Sequence, residues 1–225
     1  MCGRMTLTRK DVYQIVSELE AEVAEEDARE YRPRYNVAPS DRHWILCASG
    51  DGRVLVPATW GYLASGKPLI NVRSEQVASG RGFRDAFQAR RCAVVTDGFY
   101  EWSPQRQPTW FHRADGGLVL LAGLYHRATE SPTPRFTVLT TRPNRTVAQV
   151  HDRMPVALDP GNAGALAAWL SAEVPTEVTH LLAPAREDLL VATAVSRHVN
   201  SVKHDDPGCL APPGSEPPPA QTTLF

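Results

Sequence analysis

Cysteine is sparse in this chain, and the four that occur (Cys2, Cys47, Cys92, Cys209) include no Cys-x-x-Cys pair. That spacing argues against a disulfide framework and against a structural zinc site built on clustered cysteines, so no metal is expected. Long apolar runs are missing too, and none reaches the length that spans a bilayer. The opening Met-Cys-Gly-Arg-Met-Thr-Leu-Thr is too polar for the core of a signal peptide. A cytoplasmic chain with no membrane partner is the expectation. No internal repeat is visible. Net charge is nearly absent as well, at −1 over 225 residues, which taken alone argues against a nucleic-acid partner.

The charge is unevenly laid out, however. Residues 18–30 carry seven acids against one arginine, a net of −6, and the stretch from His204 carries Asp205, Asp206 and Glu216, a net of −3. The rest of the chain is therefore +8 within a total of −1. That remainder is basic enough to hold a phosphate backbone.

Residues 8–30 predict a helix, with Thr8 as N-cap and Val12, Ile15, Val16, Leu19 and Val23 at helical spacing. The acidic run then forms its solvated face. Pro33 and Pro39 predict an extended loop between them. Short β-like runs broken by Gly and Pro follow at 44–48, 53–60, 91–96, 108–112, 117–126 and 135–141. A helix is expected at 161–171 and a strand at 190–196. Strands in the middle and helices at the margins predict an α+β fold with a curved, barrel-like, mainly antiparallel sheet core. One domain is expected over 2–206, with a disordered Pro-rich tail over 207–225.

Cys2 is the most reactive feature. Initiator Met is usually removed before a small residue, and the chain would then begin with a 1,2-aminothiol. Its amine, near pKa ~8, sits beside a thiol near ~8.5, so both are partly deprotonated at neutral pH. Such a pair condenses with an aldehyde to an imine and then to a five-membered thiazolidine. The plainer alternative is a buried structural cysteine that happens to stand second.

Three polar clusters lie downstream. In Asn71-Val72-Arg73-Ser74-Glu75 an extended backbone puts Asn71 and Arg73 on one face. Asp97-Gly98-Phe99-Tyr100-Glu101-Trp102 ends in a carboxylate flanked by aromatics, a setting that raises a Glu pKa and suits proton transfer. His151-Asp152-Arg153-Met154-Pro155 supplies an imidazole able to work near pH 7. Each has a plainer reading: an Arg73–Glu75 surface pair, a solvated strand end at Glu101, a structural His151.

Together with Met-Cys-Gly-Arg at 1–4, Arg-Tyr-Asn-Val-Ala-Pro at 34–39, Trp60-Gly61 and Arg90-Arg91-Cys92, these segments occur in one order. The chain resembles the SOS-response-associated peptidase (SRAP) family from residue 2 to about Asn200. Tyr62-Leu63-Ala64, Val72 and Ala93-Val94-Val95-Thr96 depart from the usual family runs without touching a reactive group.

The resemblance implies a DNA-damage protein that senses abasic sites in single-stranded DNA and crosslinks to them through Cys2, shielding the lesion without a cofactor. On that reading His151 opens the sugar ring, Glu101 shuttles protons at the Cys2 amine, and Asn71 orients the sugar or the N-terminus. Arg73 and Arg4 hold phosphates. Trp60 and Trp102 stack on flanking bases, with core packing as the alternative for both. The rival is a thiol peptidase in which Cys2, Glu101 and His151 act on the chain's own N-terminus. A monomer associated with the nucleoid is expected. The last residues, Gln221-Thr222-Thr223-Leu224-Phe225, resemble the short peptide by which bacterial repair proteins dock on the sliding clamp.

Overall fold

Strands supply most of the regular structure, as the short Gly- and Pro-broken apolar runs predict. The computed structural model describes residues 2–64, 67–77, 83–127, 133–159, 163–171 and 175–215. In chain order these give β1 (Arg4–Leu7), α1 (Val12–Leu19), β2 (Glu22–Val23), α2 (Glu25–Arg29), β3 (Arg34–Val37), β4 (Arg42–Ser49) and β5 (Gly52–Trp60). Next come β6 (Tyr62–Ala64), β7 (Lys67–Leu69), β8 (Asn71–Arg73), α3 (Ser74–Val77), α4 (Arg84–Ala89), β9 (Arg91–Thr96) and β10 (Gly98–Trp102). The chain continues through β11 (Pro108–His112), β12 (Val119–His126), β13 (Arg135–Thr141), α5 (Arg145–Ala148), β14 (Met154–Pro155) and β15 (Ala157–Leu158). It ends with α6 (Ala163–Leu170), a 3-10 helix at Pro175–Leu182, β16 (Val191–Ala194), and 3-10 turns at Arg197–Asn200 and Pro207–Leu210.

The larger sheet runs β14-β13-β12-β9-β4-β5-β2, with β15 on β12 and β8 beside β13. It closes on itself because β13 also pairs in parallel with β5, Arg135 opposite Thr59 and Phe136 opposite Trp60. The expected barrel-like curvature is therefore present. A second, wholly antiparallel sheet runs β16-β11-β10-β1-β3.

Alternation along the strands sorts the core into two layers. Ile45, Cys47, Cys92, Val94, Phe136 and Val138 meet Met5, Val37, Phe99 and Phe111 of the smaller sheet. Leu46, Leu55, Ala93, Val95, Leu124 and Leu139 point the other way, onto Ile15 and Leu19 of α1, Phe87 of α4 and Trp169 of α6. Strand β9 is buried on both faces, which is why its centre, residues 92–95, reads as an unbroken apolar run.

The helix expected over 8–30 is instead two helices with β2 between them. Asp11, not Thr8, caps α1 by accepting from the Tyr13 N–H at 2.9 Å. The helix stops at Glu20, which takes a left-handed conformation (φ 49), and Val23 pairs with Leu55 of β5 rather than extending the helical stripe. Ladder pairing has overridden apolar spacing. Glu25, Glu26 and Asp27 fall in the first turn of α2, where the helix dipole favours acids. Residues 34–37, expected as loop, form β3.

The smaller sheet depends on two residues of the Asp97-Gly98 turn. Asp97 accepts from the hydroxyls of Thr6 and Thr8 and from the Thr8 N–H, tying the exit of β1 to the entry of β10. Gly98 has no alternative, because a Cβ there would lie 2.1 Å from Nε1 of Trp110.

The boundary expected at 206/207 also shifts. Asp206 caps the turn Pro207–Leu210 by accepting from Gly208 N–H at 2.8 Å, Cys209 is fully buried, and Ser196 N–H donates to Ala211 O at 2.7 Å. Proline content reads as a tail, yet one buried side chain anchors its first residues to the domain. Residues Gln221, Leu224 and Phe225 lie outside the described residues. Among the described residues no helix is long and apolar enough to cross a membrane.

Candidate active site at the head of the first strand

Cys2 stands just before β1 with 0% of its surface exposed. Its Sγ–H donates weakly to the Arg4 carbonyl at 3.8 Å. Burial pushes the thiol far above its ordinary pKa, and the nearby Glu101 carboxylate pushes in the same direction.

Asn71 reaches this residue from the other sheet. Strand β8 lies parallel to β13, with Asn71 opposite Val138, and its Nδ2–H donates to the Cys2 carbonyl at 2.7 Å. The period-2 expectation holds along β8, where Val72 turns into the core and Arg73 is exposed. Asn71 Oδ1 is also buried and has no hydrogen-bond partner among the described residues.

Glu101 comes from β10. Arg4 faces Tyr100 in the β1–β10 ladder, so the next residue, Glu101, comes level with Gly3 at the head of β1. Its side chain is enclosed, at 2% exposure. Burial raises its carboxyl to about 7, partly offset by the positive charge of the chain's amino terminus. A carboxyl balanced at neutral pH both takes and gives a proton there.

His151 lies between α5 and β14. Its Nδ1 accepts the Arg153 N–H at 3.0 Å and lies 3.0 Å from Asp152 Oδ1. Nδ1 is shared between the Arg153 N–H, which suits the neutral ring, and the Asp152 carboxylate, which suits the imidazolium. Burial lowers the His151 pKa, the amino terminus lowers it further, and Asp152 opposes both. Cys2, Glu101 and His151 thus share one electrostatic neighbourhood around the amino terminus, with Asn71 fastening it.

An ion pair holds the two sides together. Arg153 forks onto Glu75 at 2.7 and 2.9 Å and donates to the Thr140 carbonyl at 2.6 Å. This joins the His151 loop to α3, which follows β8, and to β13, and the Arg153 hydrogen bonds hold the Glu75 carboxyl down at about 2. The surface pair expected between Arg73 and Glu75 is therefore made by Arg153.

The aromatic and arginine expectations fare unevenly. Trp60 is fully buried, stacks on Phe136 at 6.2 Å and 4°, and donates from Nε1 to the Ile70 carbonyl at 2.9 Å. It is a core residue, not a base-stacking one, because its position at the β5 end faces the barrel closure. Trp102 is half-buried and anchored by Nε1 to Asn200 Oδ1 at 2.7 Å. The Arg4 guanidinium lies 5.8 Å from its ring and spends Nη1 on Asn36 Oδ1 (2.7 Å) and the Val199 carbonyl (2.8 Å). Arg4 is thus first a framework residue.

Other motif residues are structural in ways their spacing does not reveal. Asn36 Nδ2 serves the carbonyls of Val199, Ser201 and His204. Asp205 accepts from the backbone N–H groups of Tyr35 and Asn36 and pairs with Arg34. Arg91 donates to the terminal carbonyls of α4 and α6, through Phe87, Gln88, Trp169 and Ser171.

A family model described as SOS response associated peptidase (SRAP) matches residues 1–202. Abasic site processing protein YoqW of Bacillus subtilis (strain 168) is 32% identical over 223 residues, covering 92% of this chain and 97% of its own. Abasic site processing protein YedK of Escherichia coli (strain K12) is 30% identical over 191 residues, covering 77% and 81%. Abasic site processing protein HMCES of Gallus gallus is 30% identical over 228 residues, covering 81% and 67%. A crystal structure of a Bacteroides thetaiotaomicron protein superposes with a TM-score of 0.78 at 19% identity, covering 94% of this chain and 99% of that one, and so shares the fold.

Proposed function

The chain belongs to the SOS response associated peptidase family, and from that premise we propose that it captures abasic sites in single-stranded DNA as a covalent thiazolidine at Cys2. Its broader role is in DNA damage, as a protein that processes abasic lesions. The observation that carries the finer reading is Glu101, a buried carboxyl raised to about 7 whose charge is felt at Cys2.

The chemistry begins when Met1 is removed and the Cys2 nitrogen becomes an amine. An abasic sugar is mostly a closed hemiacetal. As imidazolium, His151 donates a proton to the ring oxygen while the C1–O ring bond breaks, and the neutral ring then takes the proton that the C1 hydroxyl releases in becoming the aldehyde. The amine adds to the carbonyl carbon while Glu101 takes its proton. Glu101 returns that proton to the former carbonyl oxygen to give the carbinolamine hydroxyl, then carries the second N–H proton to that hydroxyl, which leaves as water to give the imine. The Cys2 thiol then adds to the imine carbon, its proton passing to the nitrogen, and the five-membered ring closes. Asn71 fixes the Cys2 carbonyl throughout, and its Oδ1 remains for the amine or a sugar hydroxyl. Exposed Arg73 supplies a phosphate contact, and Trp102 offers an aromatic face worth about 1–3 kcal/mol per stacked base.

Amine-first order follows from the state of the thiol. A thiol peptidase works through a thiolate and lowers the thiol pKa to obtain it. The Cys2 thiol is pushed the other way, so self-cleavage through a Cys2 thiolate ranks second. We further propose that Gln221, Leu224 and Phe225 dock on the sliding clamp.

The decisive experiment incubates the protein with abasic single-stranded DNA and resolves the mixture on a denaturing gel. Wild type should give a heat-stable band shift. Cys2→Ser and a form shown by mass spectrometry to retain Met1 should not. A stable shift from the Met1-retaining form would overturn the aminothiol mechanism.

A further inference from the structure

We propose that His198, Asp206 and Cys209 form a binding site for a zinc-class divalent cation that staples the C-terminal segment against the back of the lesion site. The three offer an imidazole nitrogen, a carboxylate oxygen and a thiol sulfur, and these ligand atoms all lie within 4.8 Å of one another. All three come from one loop of the chain, the two 3-10 turns Arg197–Asn200 and Pro207–Leu210 and the link between them.

The loop is organised before any ion arrives. His198 Nε2 and Asp206 Oδ2 are 2.9 Å apart. His204 stacks on His198 at 3.7 Å and 7°, and its Nδ1 bonds the His198 carbonyl at 2.7 Å, so the imidazole is fixed from one face. Cys209 is fully buried and points its thiol back at the His204 carbonyl at 3.5 Å. Asp206 is held from behind by the Gly208 N–H. Orientation of first ligands by such outer contacts is characteristic of metal sites.

The donor set selects the ion. Sulfur and imidazole nitrogen disfavour magnesium and calcium, which take oxygen ligands, and suit zinc in tetrahedral geometry with water in the fourth position. On binding, the thiol releases its proton to solvent, and His198 presents the Nε2 lone pair in place of the bond it shares with Asp206. A cysteine-spacing search misses this combination because only one cysteine takes part.

The consequence reaches the DNA face. The same segment supplies the Val199 carbonyl that holds Arg4, the Asn200 side chain that holds Trp102, and the carbonyls gathered by Asn36. A bound cation would fix that wall without entering the covalent chemistry.

Cobalt(II) gives the test, since thiolate ligation produces a charge-transfer band in the near ultraviolet. The measurement uses the full-length Cys2→Ser chain, so that the terminal aminothiol cannot chelate. A band that saturates at a single equivalent and is displaced by zinc is expected. It should vanish when Cys209→Ser or His198→Gln is added to that background. Circular dichroism checks that each variant is folded, and if Cys209→Ser is not, His198→Gln decides. Absence of a band from the Cys2→Ser chain, or a band unchanged in the folded variants, overturns the proposal and leaves a hydrogen-bonded clasp.

Discussion

Asn71 donates its side-chain N–H to the Cys2 carbonyl at 2.7 Å, joining β8 to the head of β1 across 69 residues of chain. One net hydrogen bond is worth about 0.5–1.5 kcal/mol, or up to about tenfold in rate. Asn71→Ala should therefore slow crosslinking by about that factor while leaving non-covalent affinity for single strands little changed. Asn71→Asp keeps the shape but has no N–H, and it should fall at least as far. Wild-type crosslinking rates from Asn71→Asp would show that donation to the carbonyl does not matter.

Glu101 makes a pH prediction with a definite sign. A carboxyl whose pKa is higher in the folded chain favours folding most at pH below its unfolded value. Here that contribution is lost as pH rises from about 4.5 through about 7. Glu101→Gln lacks this loss. Its stability relative to wild type should therefore climb across that window, by about 3 kcal/mol at most. Denaturant unfolding of both proteins at several pH values measures the difference. The same variant should crosslink about 10²–10⁴-fold more slowly and lose the rise in rate near pH 7. Parallel stability curves for the two proteins would mean the carboxyl is not raised.

Much of the architecture is legible in the order of residues alone, and the failures have physical causes. The six central strands follow from apolar runs between Gly and Pro, because burial and turn chemistry point the same way there. Val23 misleads because it completes a helical stripe yet pairs with Leu55 in a ladder. Trp60 looks like a base-stacking residue until Phe136 and the barrel closure enclose it. For the site, the order of motifs marks Cys2, Asn71, Glu101 and His151, but spacing alone cannot bring Asn71 to Cys2. Nor does it show that Arg153, not Arg73, takes Glu75, since that depends on how the loop after α5 returns to β13.

The clamp peptide rests on the amino-acid sequence. On the proposed reading Leu224 and Phe225 would enter an apolar pocket with Gln221 at its rim, and the Pro-rich residues before them would serve as a spacer of about 3.1 Å per residue where polyproline-like. Tethering would raise the local concentration of Cys2 near exposed template strands. A fluorescent peptide of residues 212–225 should bind bacterial sliding clamp, and Leu224→Ala with Phe225→Ala should abolish binding. Equal affinity of the doubly substituted peptide would retire the idea.

Arg73 separates DNA contact from structure. It is exposed at the end of β8, two residues from Asn71 and on the same side of the strand, so on the proposed reading it would reach a phosphate beside the captured sugar. Each phosphate contact to a single strand contributes about 0.7 to the slope of log affinity against log salt. Arg73→Ala should reduce that slope by about 0.7 and weaken binding to undamaged and abasic strands alike, because a phosphate contact carries no lesion information. Arg29→Ala is the matched loss of charge. Arg29 sits on α2 among acids, paired with Glu25 at 2.6 Å, so its removal should leave the slope unchanged. Fluorescence anisotropy across a salt series measures both variants. An unaltered slope in Arg73→Ala would assign the residue to the electrostatics of Glu75, whose low pKa it helps to hold, and would place the phosphate elsewhere.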